Sequence, residues 1–207
     1  AMASGDTKLS ICSDSLIMLG ASPLSSFSEG TDAAQICDRL YDDITDFVLG
    51  LYPWSFSYKK VQLAREVDTP ATEWKYQYVM PADLIGSGAR ALFTSSTPGA
   101  RPVNEGWEIV GGKLMTSLET VYIDYQYHPS EAIMPTFFVQ LLKYWLAWHF
   151  AETVTDQITK AQYFQLLAVG SPGENMRGGM TRQAMQIEGA NMPNQVIEDY
   201  DLISVRG

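Results

Sequence analysis

Residues 51–56, LYPWSF, mark the point at which the periodicity of this chain changes. Upstream, apolar residues recur every three or four positions at Ala33, Ile36, Leu40, Ile44, Phe47 and Leu51. Asp38, Arg39, Asp42, Asp43 and Asp46 take the opposite face, so the spacing predicts an amphipathic helix. Thr31 and Asp32 are suited to cap its start, and Pro53 ends it. Downstream, the period becomes two. Over 73–80, Trp74, Tyr76, Tyr78 and Met80 fall on one face and Glu73, Lys75, Gln77 and Val79 on the other, which predicts a strand. Within LYPWSF itself, Pro53, Trp54 and Phe56 are expected to fix the turn from helix to strand and to pack beneath it.

The β signal continues to about residue 128. Residues 56–63 alternate less cleanly, and 84–93 reads as a strand interrupted by glycines. Residues 107–110 and 113–115 flank Gly111-Gly112, a two-residue hairpin signal. Val121, Ile123, Tyr125 and Tyr127 form a further alternating run, closed by Pro129, while 94–106 reads as an exposed loop.

Helical spacing holds on both sides of this block. Leu9, Cys12, Leu16 and Leu19 precede Gly20, a natural helix stop. After Ser130, the stretch 133–155 is long and aromatic, with Pro135 suited to a first turn. Ile158, Ala161, Phe164 and Ala168 continue a second helix after a break at Thr155-Asp156. Four glycines and a proline within 170–179 predict a hinge, with a short helix resuming over 180–186. The remainder, carrying Met192, Val196, Ile197, Tyr200, Leu202, Ile203 and Val205, has no helical face and reads as an extended, partner-binding arm. The expected class is α+β. A helical frame (6–53 and 130–169, two N-terminal and two long C-terminal helices) carries an inserted antiparallel β subdomain (54–128), followed by hinge and arm (170–207).

The net charge is −10, from 24 acidic and 14 basic residues, which argues against binding to a phosphate backbone. An acidic surface suits the lining of a channel that DNA must pass without sticking. Cys12 and Cys37 are the two cysteines, too few for a disulfide framework, and read as buried thiols of a protein made in a reducing cytoplasm. The start of the chain lacks the basic segment and apolar run of a secretory leader. Residues 132–150 are apolar but include Pro135, Gln140, Lys143 and His149. A charge at the centre of a membrane span costs about 3 kcal/mol, so a buried helix is expected instead.

Chemistry has few candidates. His128 and His149 are the two histidines, at a strand end and inside the aromatic helix. Asp42, Asp43 and Asp46, with Glu198, Asp199 and Asp201, are carboxylates of the type a glycosidase pairs across a cleft, but nothing in the sequence places them in a cleft, and a solvated helix face or an acidic channel lining explains them better. Residues 171–179 lack the Gly-Lys-Ser/Thr ending of a phosphate loop. No catalytic, cofactor-binding or metal-binding residues are therefore expected.

LYPWSF, followed by Leu63 and then by WKYQYVMPADLI at 74–85, resembles the tail tubular protein A family of podoviruses and related phage head-to-tail adaptors. The positions that carry the likeness are Pro53, Trp54, Phe56, Trp74, Tyr76, Tyr78, Pro81 and Asp83. The helix-strand-helix order matches over about 9–169, while 170–207 departs from the pattern. The resemblance implies a structural protein of the virion neck or tail, made in the host bacterial cytoplasm. It implies a homo-oligomeric ring, commonly of twelve subunits, between the portal protein and a downstream tail or nozzle protein. Genome DNA would pass through without sequence-specific binding, and no cofactor is implied. The other readings are a tail-associated cell-wall hydrolase and a sugar-binding module using aromatic residues of the β part.

Overall fold

A computed structural model describes residues 5–192. Thr7 and Ser10 form a reciprocal capping box, each side chain bonded to the other's backbone N–H at 3.2 and 2.9 Å, and start helix α1 (Lys8–Met18). Thr31 caps α2 (Asp32–Gly50) by accepting from the Ala34 N–H at 3.2 Å. Six short strands follow: β1 (Tyr58–Gln62), β2 (Tyr76–Val79), β3 (Ala91–Phe93), β4 (Trp107–Val110), β5 (Lys113–Thr116) and β6 (Tyr122–Gln126). Helices α3 (Thr136–Thr155), α4 (Ile158–Val169) and α5 (Gly179–Asn191) complete the described chain. The class is α+β.

The strands form two antiparallel sheets, ordered β1-β6-β3 and β2-β5-β4. Residues 64–66 continue beyond β1 to pair with β2, through Glu66 N to Gln77 O at 2.9 Å and Val79 N to Ala64 O at 3.2 Å. The β4-β5 hairpin turns on Gly111 and Gly112, both at positive φ as a type I′ turn requires. The expected strand over 84–93 shortens to three residues, because Gly86 and Gly88 leave only a single bridge from Leu84 to Tyr127 before Ala91.

Two cores result. α3 is the central helix of the larger one, in contact with α1, α2, α4 and α5. Being packed on most sides, it is apolar on most sides, and Phe138, Leu142, Trp145, Leu146 and Phe150 are all buried. Lys143 reaches the surface, 2.6 Å from Asp14. The smaller core lies between the strands around Tyr78, Leu92, Leu114, Ile123 and Tyr125.

The buried stripe of α2 is offset from the apolar one. Ala34, Cys37, Tyr41, Ile44, Thr45 and Val48 face inward, whereas Phe47 is 54% exposed and Ile36 and Leu40 are half-buried. Thr45 tolerates burial because its hydroxyl donates to the Tyr41 carbonyl one turn back, at 2.7 Å.

Of the segment 170–207, the described part is a loop followed by a helix longer than the 180–186 expected. Residues 170–178 are a folded loop built on Glu174, whose carboxylate accepts from Ser171 N at 2.8 Å and Ser171 Oγ at 3.2 Å. Gly178 N closes the loop on the Val169 carbonyl at 2.9 Å. Helix α5 then packs on α3 and α4 instead of extending away. Its buried positions are Thr181, Ala184 and Glu188, two of them polar, so no apolar period announces them. Thr181 is satisfied in place: its hydroxyl donates to Ala168 O at 2.7 Å and accepts from Trp145 Nε1 at 3.1 Å. Gly179 starts the helix at φ +54, where a Cβ would collide with the Leu167 carbonyl oxygen. Gly179→Ala is therefore expected to cost about 2 kcal/mol through strain and collision, measurable by urea denaturation; a loss below about 0.5 kcal/mol would contradict the docked α5.

Candidate functional site

The resemblance residues around LYPWSF sit where the helices join the sheets. The end of α2 leaves carbonyls that the helix cannot serve. Val48 O accepts from Leu51 N at 3.3 Å and from the Trp54 indole N–H at 3.1 Å. Leu49 O would next accept from residue 53, but Pro53 has no N–H. The donor comes instead from β6: Gln126 Nε2 lies 2.6 Å from Leu49 O, 3.1 Å from Tyr52 O and 3.0 Å from Ser57 Oγ. Trp54 is wholly buried among Tyr52, Phe56, Phe137 and Phe138, with ring centroids 5.0 to 6.4 Å away. Phe56 makes its own edge contact with Phe138 at 4.9 Å, and Pro53 is exposed.

The second segment lies in the smaller core. Tyr78 is buried and its hydroxyl donates to Leu118 O at 2.6 Å. Tyr76 carries the Arg65 guanidinium 4.7 Å above its ring, and Trp74 Nε1 donates to Glu108 at 2.6 Å. Pro81 opens a turn closed by Leu84 N at 3.2 Å. Asp83, in that turn, accepts from the Tyr125 hydroxyl at 2.8 Å and pairs with Lys59 at 2.6 Å. The structure thus places the two segments at different cores, with Pro53 and Asp83 exposed, and does not gather the eight positions into one cluster. What they share is β6: Asp83 holds Tyr125, while Ile85 N donates to Gln126 O at 2.9 Å. Gln126, the residue that joins both parts, escaped the sequence reading, because a Gln on the reverse face of an alternating strand gives no signal of its own.

The Lys59 ammonium holds the Asp83 carboxyl below its ordinary value of 3.8. A depressed carboxylate contributes stability above its unfolded pKa and loses it as the pH falls through the folded value. Both partners are more than a third exposed, so screening keeps the contribution under about 1 kcal/mol. Asp83→Asn is expected to lower the melting temperature slightly at neutral pH. The gap to the wild-type chain should close on acidification below about pH 4; a gap that widened there would contradict the pairing.

Helix α5 ends on the same joint. Glu188 is 3% exposed and accepts from Ser55 N at 2.6 Å. Of the arm positions, Met192 is exposed at the end of the described chain. Val196, Ile197, Tyr200, Leu202, Ile203 and Val205 lie outside the described residues.

The groups with chemical potential are held apart. His149 stacks on Trp145 at 5.8 Å and donates from Nδ1 to the Trp145 carbonyl at 2.8 Å; burial pushes its pKa down. His128 is paired rather than free at its strand end, 2.6 Å from Asp46 and 3.8 Å from Glu131. Asp42 pairs with Lys8 at 3.3 Å. Cys12 and Cys37 are both wholly buried, and the neighbouring Cys37 thiol together with burial pushes the Cys12 thiol up. Among the described residues no group of three or more His, Cys, Asp or Glu is placed to hold a metal ion. Among them, too, no helix is long and apolar enough to cross a membrane.

No protein-family model matches the chain, and no curated protein matches it. Among solved structures, a chain from the neck of an empty GTA particle, computed with C6 symmetry, aligns with it over 96% of this chain and 99% of its own length. The identity is 16% and the TM-score 0.33, a loose superposition on which no part of the functional reading rests.

Proposed function

We propose that this chain is a structural protein of a tailed-phage virion, a ring subunit of the neck or tail. In a ring of twelve subunits it joins the portal protein to the downstream tail or nozzle protein, and it continues the channel through which the genome passes. The observation that carries this reading is the pair of resembling segments, 51–56 and 74–85, in their order and spacing. Their setting supports it: both bear on β6, and together they weld the helical frame to the sheets, as a subunit that transmits load between two neighbours needs.

Two further features fit. The frame exposes large apolar side chains at Ile17, Phe47, Ile158, Tyr163 and Leu166, surface of the kind that neighbouring subunits cover in a head-to-tail ring. Residues 6–53 carry eight acidic residues against Lys8 and Arg39, an excess suited to a wall that DNA slides past. The protein acts without catalysis or cofactor in this reading. A hydrolase gains no support from the described residues, where Asp42 is tied to Lys8. A sugar-binding module would have to do without Tyr78 and Tyr125, which are buried.

The test is assembly. Mixed with its cognate portal, the protein is expected to form rings visible by electron microscopy and to shift in light scattering. Free monomer alone in that mixture would overturn the proposal.

A further inference from the structure

A hollow of about 300 Å³ opens at the surface of the frame between α2 and α3. Asp43, Ile44 and Phe47 of α2 line it, with Trp145 and His149 of α3 and Met176 of the loop 170–178. Asp43 and Phe47 are one helical turn apart, so they share a face. Of the aspartates Asp38, Asp42, Asp43 and Asp46, three are held: Lys8 lies 3.1 Å from Asp38 and 3.3 Å from Asp42, and His128 lies 2.6 Å from Asp46. Asp43, the one that lines the hollow, makes no ion pair among the described residues, not even with Arg39 one turn before it. The second polar group is His149. Its Nδ1 donates to the Trp145 carbonyl at 2.8 Å, and burial lowers its pKa from 6.5, so Nε2 of the neutral ring is an acceptor. Trp145 Nε1, the side-chain donor of the lining, is already spent on Thr181 at 3.1 Å. The side chains that line the hollow therefore accept and do not donate. Phe47 and Met176 add apolar surface, 54% and 40% exposed. Met176 is presented by backbone that a methionine disfavours, at φ +59 after Asn175 at φ +51. Such strain persists where the surroundings fix it.

We propose that this hollow receives an arginine side chain presented by an apolar segment of a partner protein. Charge complementarity carries the assignment. A carboxylate and an imidazole lone pair, with no side-chain donor beside them, call for a ligand rich in N–H groups, and the net charge of −10 favours a cation. A guanidinium meets both demands. Its planar fork stacks on aromatic rings such as Phe47, and it is more weakly hydrated than an ammonium, so it leaves water more readily. The apolar flanks follow from the rim, because a bare cation would leave Phe47 and Met176 uncovered. A larger hollow along α4 shares Met176, but no charged residue lines it, so it makes no such choice of partner. The inference does not rest on the neck reading: the partner is defined by one side chain, and its binding is read without any assembly.

The test titrates acetyl-Leu-Arg-Leu amide into the full chain and follows the His149 ring and Met176 methyl signals by NMR. Both are expected to shift and to saturate together, while the His128 ring stays in place. Asp43→Asn should weaken binding about fivefold through loss of the charged acceptor. Asp42→Asn makes the same change of charge one residue away, outside the hollow, and should weaken it less than about twofold. Both aspartates are exposed, so the fold tolerates either change. The citrulline counterpart of the peptide keeps the shape and loses the charge, and it should not saturate the signals. Equal binding of the citrulline peptide would overturn the proposal, as would the absence of any shift at His149 and Met176. Equal losses in the two aspartate variants would overturn it too, since a general acidic field would then explain the binding. So would arginine amide binding as tightly as the tripeptide, which would leave the hollow a site for a free cation.

Discussion

Trp54→Ala is expected to remove about 4 kcal/mol of stability, which for a chain of this size lowers the melting temperature by about 10 °C. Trp54 has no exposed surface, and its ring lies against Tyr52, Phe137 and Phe138 from the frame. Alanine leaves a cavity there, and it also takes away the indole N–H that caps Val48 O. Trp54→Phe separates these effects. It keeps most of the volume and loses only the donor, for about 1 to 2 kcal/mol. Urea denaturation of both variants checks the ordering; equal losses would show that the cap, not the packing, dominates.

Gln126→Leu is expected to cost about 3 kcal/mol, although leucine is of similar size and apolar. The glutamine amide serves Leu49 O and Tyr52 O, and leucine would leave these two carbonyls facing hydrocarbon. No helical N–H can replace it at Leu49, since Pro53 stands in that position. The loss should also loosen the joint before the rest of the fold, because Gln126 links β6 in the smaller core to the end of α2 in the larger. Hydrogen exchange is expected to speed up first at Trp54 N and Ser57 N, which bond within this turn at 2.9 and 3.0 Å. A loss under about 0.5 kcal/mol would contradict the assigned role.

These two variants mark the boundary between local and distant information. LYPWSF announces a helix stop because proline and the change of period act locally. That the stop is capped by a glutamine some seventy residues later is a tertiary fact. The candidate site was legible to the same degree: the motif positions could be named, but the way they divide between two cores could not. The left-handed Met176 and the exposed Phe47 were not legible at all, since both look ordinary in sequence.

What the sequence determined by itself is the order of elements, the α+β class, the glycine hairpin at 111–112 and the break at Asp156, which takes φ +54. Each follows from backbone preferences or from periods that span a few residues. The tertiary structure alone decided which side of α2 faces inward, and that the helix expected over 180–186 runs on to Asn191 and docks on α3 and α4. In both cases the buried face carries polar or small residues: Cys37, Tyr41 and Thr45 on α2, Thr181, Ala184 and Glu188 on α5. Thr45, Thr181 and Glu188 tolerate burial because same-helix or distant partners satisfy them, as Ser55 does for Glu188. A count of apolar residues cannot see such partners. The joint at LYPWSF is therefore written locally as a place to turn, and is completed by β6 and α5 as a place that holds.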